Sequence, residues 1–307
     1  MTQLSSTPLV GLDVQPHSMR LIVLKQHRNQ YFAEQAASLT LPDEVHANGR
    51  IRHWDILQER LSALVRRLRL EKAATAIHLP SPLVCMQELQ VPEGMTEDGI
   101  REEIDLHLAR DFPGMSESLA VDFTIERKPE SDGYMQIHFA ATHLDYIARY
   151  ADCIEAAGLQ VSIIDVDVHA LVRLFQLASR SIKKVQAIVC QIHTRIWFMV
   201  ISPQAILFHQ QWQALNRQEF IAQLNKQIAN FLAHFPDVRI HQLLVYSQYS
   251  GIELYFANHQ TLQLRVYRLN PFARIKLSPS LVAQMQQEHF ADYFIACGLA
   301  MREVPAC

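Results

Sequence analysis

Asp165, Asp167 and His169 occupy every second position of an Asp-x-Asp-x-His string. On an extended chain that period puts all three on one face, and two carboxylates with an imidazole form a donor set suited to a divalent metal. The 15 histidines otherwise show no His-x-x-x-His or His-Glu-x-x-His spacing, so they read as solvated or core side chains. Cys85, Cys153, Cys190, Cys297 and Cys307 are scattered without a Cys-x-x-Cys pair and read as free thiols of a reducing compartment. Nucleophile signatures are missing as well: there is no Gly-x-Ser-x-Gly, and no cysteine with a basic triad partner beside it in sequence. One charge run stands out. Arg50, Arg52, Arg60, Arg66, Arg67, Arg69 and Lys72 outnumber Asp55, Glu59 and Glu71. Such a run is either a solvated helix face or an attraction to an anionic membrane surface or an acidic partner.

Composition narrows the classes further. The 307 residues carry 28 Lys and Arg against 31 Asp and Glu, and 49% are apolar, which is the make-up of a globular protein of about two domains. A net charge of -3 argues against bulk nucleic-acid binding, which relies on cationic excess. Glycine is scarce at 9 residues, and phosphate-cradling loops need it. The N-terminus lacks a cationic stretch followed by an apolar one, so no signal peptide is expected. The best apolar run, Ile196 to Ile201, is far short of a membrane span, so any membrane association is expected to be peripheral.

The elements that must position these residues follow from periodicity. Strands are predicted at Leu9 to Asp13, Met19 to Leu24 and Tyr31 to Leu39, then a helix from Trp54 to Leu70 on the spacing of Leu57, Leu61, Leu64, Val65 and Leu68. Alternation returns at Ala76 to Leu79 and Leu83 to Val91. Thr96, followed by Glu97 and Asp98, opens a helix whose stripe is Ile100, Ile104 and Leu108 and which stops near Phe112-Pro113. Strands at 119–126 and 134–142 precede a helix from His143 to Ala157 that closes on Gly158, and 159–166 is a strand. The second half repeats the grammar. Strands at 185–191, 196–201 and 205–212 lead into a long helix opened by Asn216 and Glu219, with an apolar face from Phe220 to Phe235. Strands at 240–246 and 262–267 and a closing helix over 280–301 complete the chain. Two meander-then-helix halves point to an internal structural duplication.

Five blocks carry a family resemblance: GLDVQPHSMRLIVL (11–24), PEGMTEDGIREEIDLHLARDFPGMSESLAVDF (92–123), CIEAAGLQVSIIDVDVHALVRLF (153–175), LNPFARI (269–275) and CGLAMR (297–302). The chain resembles the type IV pilus assembly protein PilM family, relatives of FtsA and actin. The resemblance implies an α/β, two-domain actin-like (ribonuclease H-like) fold with a small α/β insertion subdomain. It divides the chain into domain I at 1–83 and 166–178, an insertion at 84–165 that takes up a partner, and domain II at 179–307. Family blocks of this kind place an acidic pair where a strand hands over to a helix, which makes Asp167 a cap for a helix beginning near His169 rather than a metal ligand.

The same resemblance locates a nucleotide cleft, and this sequence departs from its pattern. Asp13 and Ser18 stand where the family has an acid and a hydroxyl in the first phosphate hairpin, and Arg20 replaces the usual Lys. Gln15 and Pro16 fill the glycine region, and proline removes a backbone donor. Gln191-Ile192-His193 stands in place of Asp-Ile-Gly in the second hairpin, and Ser247-Gln248 in place of Gly-Gly under the adenine. Asp13, Ser18 and Arg20 are therefore expected to be a remnant phosphate loop, with no ATPase activity, no catalytic residue, no metal and no bound cofactor; ATP with Mg is the alternative. The implied role is a cytoplasmic adaptor, peripheral to the inner membrane, that binds the tail of a PilN-like protein and meets pilus motor ATPases and a platform protein. Ile104 and Leu108 of the insertion helix are the candidate partner-binding residues. An FtsA-like division protein is a further alternative, disfavoured because the chain stops at Cys307 without an amphipathic membrane helix.

Overall fold

The computed structural model describes residues 8–28, 30–47, 50–114, 118–126, 133–179, 184–257, 264–287 and 289–303. The chain divides into two compact units, one comprising Met1–Ile51, Ala73–His78 and Ser162–Cys307, the other Arg52–Lys72 and Leu79–Val161.

Among the described residues the first unit holds two large sheets and a two-stranded one. β1 (Leu9–Gln15) and β2 (Ser18–His27) form a hairpin, β3 (Gln30–Thr40) extends it, and short strands β4 (His46–Ala47) and β5 (Arg50–Ile51) pair with each other. β6 (Ala74–Leu79) lies parallel to β1, giving the order β10-β6-β1-β2-β3-β16 with β10 (Gln160–Val166) and β16 (Ile275–Leu277) at the edges. β1 reads as an unbroken apolar run because it is buried nearly end to end, as expected for a central strand covered on both faces.

The second sheet repeats this pattern. β11 (Gln186–Ile192), β12 (Arg195–Ile201) and β13 (Ile206–Gln213) form the meander, β14 (Gln242–Tyr246) runs parallel to β11, and β15 (Arg265–Arg268) runs parallel to β14. The order β13-β12-β11-β14-β15 is the counterpart of β3-β2-β1-β6-β10. The duplication legible in the element grammar is therefore a duplication of topology. α5 (Arg217–His234) buries Phe220, Leu224, Ile228 and Phe231 against the second sheet. Asn216 Oδ1 accepts the Glu219 N–H at 2.9 Å, while Glu219 reaches back to the Leu215 N–H at 2.9 Å, the predicted start signal.

The closing segment departs from expectation. The helix predicted over 280–301 is instead α7 (Pro279–Gln287), a 3-10 turn at Phe290–Tyr293 and α8 (Phe294–Ala300). No Pro or Gly interrupts 280–297, so periodicity reads straight through. The break at His289, with φ 63°, is imposed by packing that holds Asp292 beside Arg20 and sends Tyr293 and Phe294 into the core. Before it, α6 (Ile252–Ala257) is a short helix that the sequence reading left out, and the predicted 262–267 strand is realised at 265–268, its first two residues lying outside the described set. α8 is buried throughout, with β1 against one side and α4 (Asp167–Ala178) against the other. A Cβ on Gly11 would stand 1.8 Å from the Ala296 carbonyl oxygen, and one on Gly298 2.0 Å from that of Ala170. Those two glycines set how closely helix and strand, and helix and helix, approach.

The second unit has its own small core. β7 (Cys85–Pro92), β9 (Tyr134–His143) and β8 (Leu119–Glu126) make an antiparallel sheet with β9 central. α2 (Glu97–Asp111), capped by Thr96 accepting from the Gly99 N–H at 3.2 Å, covers one face. α1 (Trp54–Leu68) packs on α3 (Leu144–Ala156): Trp54 meets Tyr146 edge-on at 5.6 Å, and the Arg149 guanidinium lies 5.3 Å from the Trp54 ring centre. Gly158, at φ 105°, turns the chain after α3, and its carbonyl accepts from the Lys72 N–H at 2.7 Å.

Candidate functional site

The β1–β2 hairpin turns at Pro16-His17, with Gln15 opposite Ser18 and Asp13 opposite Arg20. Asp13, near the end of the buried part of β1, is 3% exposed, so its carboxylate needs partners inside the fold. It has them: the Gln15 amide donates to its Oδ1, and His78 Nε2, on the adjacent β6, lies 2.8 Å from the same oxygen. Arg20 is not paired with Asp13 across the hairpin. Its Nη2 donates instead to Asp292 Oδ2 at 2.9 Å, and both side chains are largely buried. Ser18 is the first residue of β2 and half-buried.

The β11–β12 hairpin turns at His193-Thr194, with Ile192 opposite Arg195. His193 adopts φ 53°, left-handed backbone that glycine takes most readily, and carries a side chain at that turn. That side chain brings Nε2 to 2.6 Å from Asp292 Oδ1, a polar contact without good hydrogen-bond geometry. Asp292 therefore joins β2 of the first sheet to the second hairpin. Sequence reasoning missed this residue; its signal is a lone acid inside the otherwise apolar Phe290–Leu299 run.

Gln191, in place of the family's acid, is equally occupied. Its Nε2 donates to the His193 carbonyl at 3.0 Å, and its Oε1 accepts from the buried Ser247 hydroxyl at 2.5 Å. Ser247 Oγ also accepts the Tyr249 N–H at 3.1 Å, and the Ser247 carbonyl accepts from Arg268 at 2.9 Å. The polar side chains around both hairpins thus bind one another. Asp13, Arg20 and Gln191 each have a protein partner, while Arg20 Nε and Asp292 Oδ1 are buried without a hydrogen-bond partner among the described residues.

The Asp-x-Asp-x-His string separates where β10 meets α4. Asp165 pairs with Arg173 and lies 3.9 Å from Arg302. Burial opposes its ionisation, but the Arg173 guanidinium and the Val166 N–H together outweigh that and hold the carboxyl below the usual range. Asp167 does not cap a helix starting near His169: α4 begins at Asp167 itself, and Asp167 Oδ1 accepts from the Val168 N–H at 2.7 Å. Among the described residues, no group of three or more His, Cys, Asp and Glu is disposed to hold a metal ion.

Ile104 and Leu108 do not line an open site. Both are fully buried on α2, packed with Val91, Met135, Ile137 and Phe139 in the core of the small sheet, because that core has few other residues to close it. They are corrected here from partner-binding to core residues. Cysteine chemistry is also suppressed: burial pushes the Cys153 thiol up to about 11 and raises Cys85, Cys190 and Cys297. No described helix is long and apolar enough to cross a membrane.

With this geometry in hand, comparison with known proteins is direct. The profile of the type IV pilus assembly protein PilM family matches residues 11–215. Among solved structures, a chain of the PilM-PilN type IV pilus biogenesis complex superposes with a TM-score of 0.77 at 16% identity, covering 97% of this chain and 99% of that one. The cytoplasmic domain of EpsL, an inner-membrane component of the type II secretion system of Vibrio cholerae, gives 0.53 at 11% identity, covering 92% and 94%. A Bacteroides thetaiotaomicron protein described as having an actin-like ATPase fold gives 0.49 at 11% identity, covering 92% and 96%. The fold is actin-like, and its two main sheets share one strand order. Matched over more than half its length, the chain belongs to the type IV pilus assembly protein PilM family.

Proposed function

We propose that the protein is a non-catalytic adaptor of type IV pilus assembly, which binds the cytoplasmic N-terminal tail of a PilN-like inner-membrane protein and links it to the pilus motor ATPases and platform protein. The carrying observation is the junction of Arg20 and His193 on Asp292, together with the Gln191–Ser247 bond. Hydrolysis of a metal-bound triphosphate needs an acid for the cation and free donors for the phosphates. Here Asp13, Arg20 and Gln191 are committed to protein partners, and Pro16 contributes no N–H in the first hairpin. The likeness to the PilM-PilN complex over nearly the whole chain supports the choice of partner.

A short tail that is disordered when free loses entropy on docking, so micromolar affinity is expected, on the order of -7 to -8 kcal/mol. The test is a calorimetric titration of the full chain with a synthetic N-terminal peptide of the PilN-like protein encoded beside it, with a scrambled peptide as control. Micromolar binding of the native peptide alone, unchanged by MgATP, supports the adaptor. Equal binding of both peptides removes the partner assignment, and an affinity that shifts about tenfold with MgATP replaces the adaptor by an ATP-gated switch.

A further inference from the structure

α1 and the turn after it carry cations that the fold leaves unpaired. Residues 52–72 contain six Lys and Arg against three Asp and Glu. Arg52, Arg60, Arg66, Arg67, Arg69 and Lys72 are all exposed, and none has a side-chain hydrogen bond or ion pair among the described residues. Acids are not in short supply, since 79–161 of the same unit holds sixteen Asp and Glu against five Lys and Arg. The two signs are segregated. Favourable interaction with the carbonyl end of α1 accounts for cations in the last turn, where Arg66 and Arg67 stand. It does not reach Arg52 or Arg60, two turns or more away from that end.

We propose that α1 is a docking surface for an anionic phospholipid bilayer. Arg60 and Arg67 are seven residues apart and share a stripe, and α1 is about 22 Å long at 1.5 Å per residue. Charges spread over such a length suit a plane of mobile anionic headgroups, which gather beneath each cation without prior alignment. A folded acidic protein would have to match every position. The left-handed turns at Arg69 and Lys72, φ 56° and 61°, extend the cationic surface past the helix end. At the opposite end, Trp54 and Tyr146 form an amphipathic ring pair, and such rings favour the headgroup layer.

The experiment is co-sedimentation of the full chain, without any partner protein, on phosphatidylcholine vesicles with and without phosphatidylglycerol. The wild type is expected to pellet with the anionic vesicles only, and to be released when salt is raised from about 0.05 M to about 0.5 M, where the Debye length shrinks to a few ångströms. Each cation near the surface is worth about fivefold in partitioning, so Arg60→Gln/Arg66→Gln/Arg67→Gln should lower it at least ~10-fold. Arg60→Lys/Arg66→Lys/Arg67→Lys should retain it, which separates charge from folding. Pelleting on neutral vesicles, or glutamine and lysine variants that behave alike, would overturn the proposal. So would a wild type that ignores anionic vesicles but binds poly-glutamate, which would assign the surface to an acidic polypeptide. Because no tail peptide is present, the outcome is independent of the adaptor reading.

Discussion

Arg20 and Asp292, 272 positions apart in the chain, meet at 2.9 Å, and Asp292 also touches His193 at 2.6 Å. This buried contact ties the first hairpin to the second. Removing one partner leaves a desolvated charge, so Asp292→Ala is expected to cost about 3 kcal/mol. The double substitution Arg20→Met/Asp292→Leu, which removes both charges, should cost markedly less. Urea denaturation of the wild type, Asp292→Ala, Arg20→Met, Asp292→Leu and the double variant decides; additive losses would show that the two side chains act independently.

Gly298 admits no side chain. Its Cβ would fall 2.0 Å from the Ala170 carbonyl oxygen, a backbone atom that moves only if α4 and α8 separate. Gly298→Ala is expected to lower stability by about 3 kcal/mol or more, through overpacking of a fully buried helix contact. Gly114→Ala, where a Cβ meets nothing within 4 Å, provides the contrast, with a smaller loss confined to its φ of 78°. Equal melting temperatures for Gly298→Ala and the wild type would refute the close-packing argument.

Stability should fall as the solution becomes acidic. Burial holds His46 below the usual imidazole value, with His17 and Arg195 adding to the effect against the opposing Pro16 carbonyl. Burial likewise lowers His209, opposed by Asp167. Below about pH 6.5 the unfolded imidazoles take up protons while the folded ones stay neutral, so the unfolded state binds more protons. The stability present above that value is therefore lost progressively as pH drops towards the lowered folded values. Asp165 adds a second loss further down, below the ordinary carboxylate range and towards its own lowered value. Urea midpoints at pH 7.5 and 5.5 measure the first effect, and His46→Gln/His209→Gln should reduce it, leaving the share of His169, which burial also lowers. A wild-type midpoint that does not change would contradict the assignment of neutral, partly buried histidines.

Nucleotide affinity should be negligible. With Asp13, Arg20 and Gln191 engaged by the protein itself, MgATP is expected to bind more weakly than about 1 mM, less than ~4 kcal/mol, with no measurable turnover. Calorimetry and a phosphate-release assay check both halves. Nucleotide that survives purification, or micromolar binding, would contradict this expectation.

The sequence by itself determined most of the elements and their duplicated order. Alternation and helical spacing are local signals, and the runs predicted at 9–13, 19–24, 185–191 and 196–201 are largely buried strands, the third shifted by one residue to 186–192. Thr96 and Asn216 caps were legible for the same reason: a cap acts on its own first turn. The departures at Pro16, Gln191 and His193 were visible once the family pattern was set beside them. What replaced the lost contacts was not visible. Asp292 acquires its role only when a break at His289 turns it toward side chains contributed by β2 and β12's hairpin, and no periodicity records a partner 272 residues away. Ile104 and Leu108 show the other limit. An amphipathic stripe is the same whether it meets a partner or its own sheet, and tertiary packing alone decided that here it closes the core around Phe139 and Ile137.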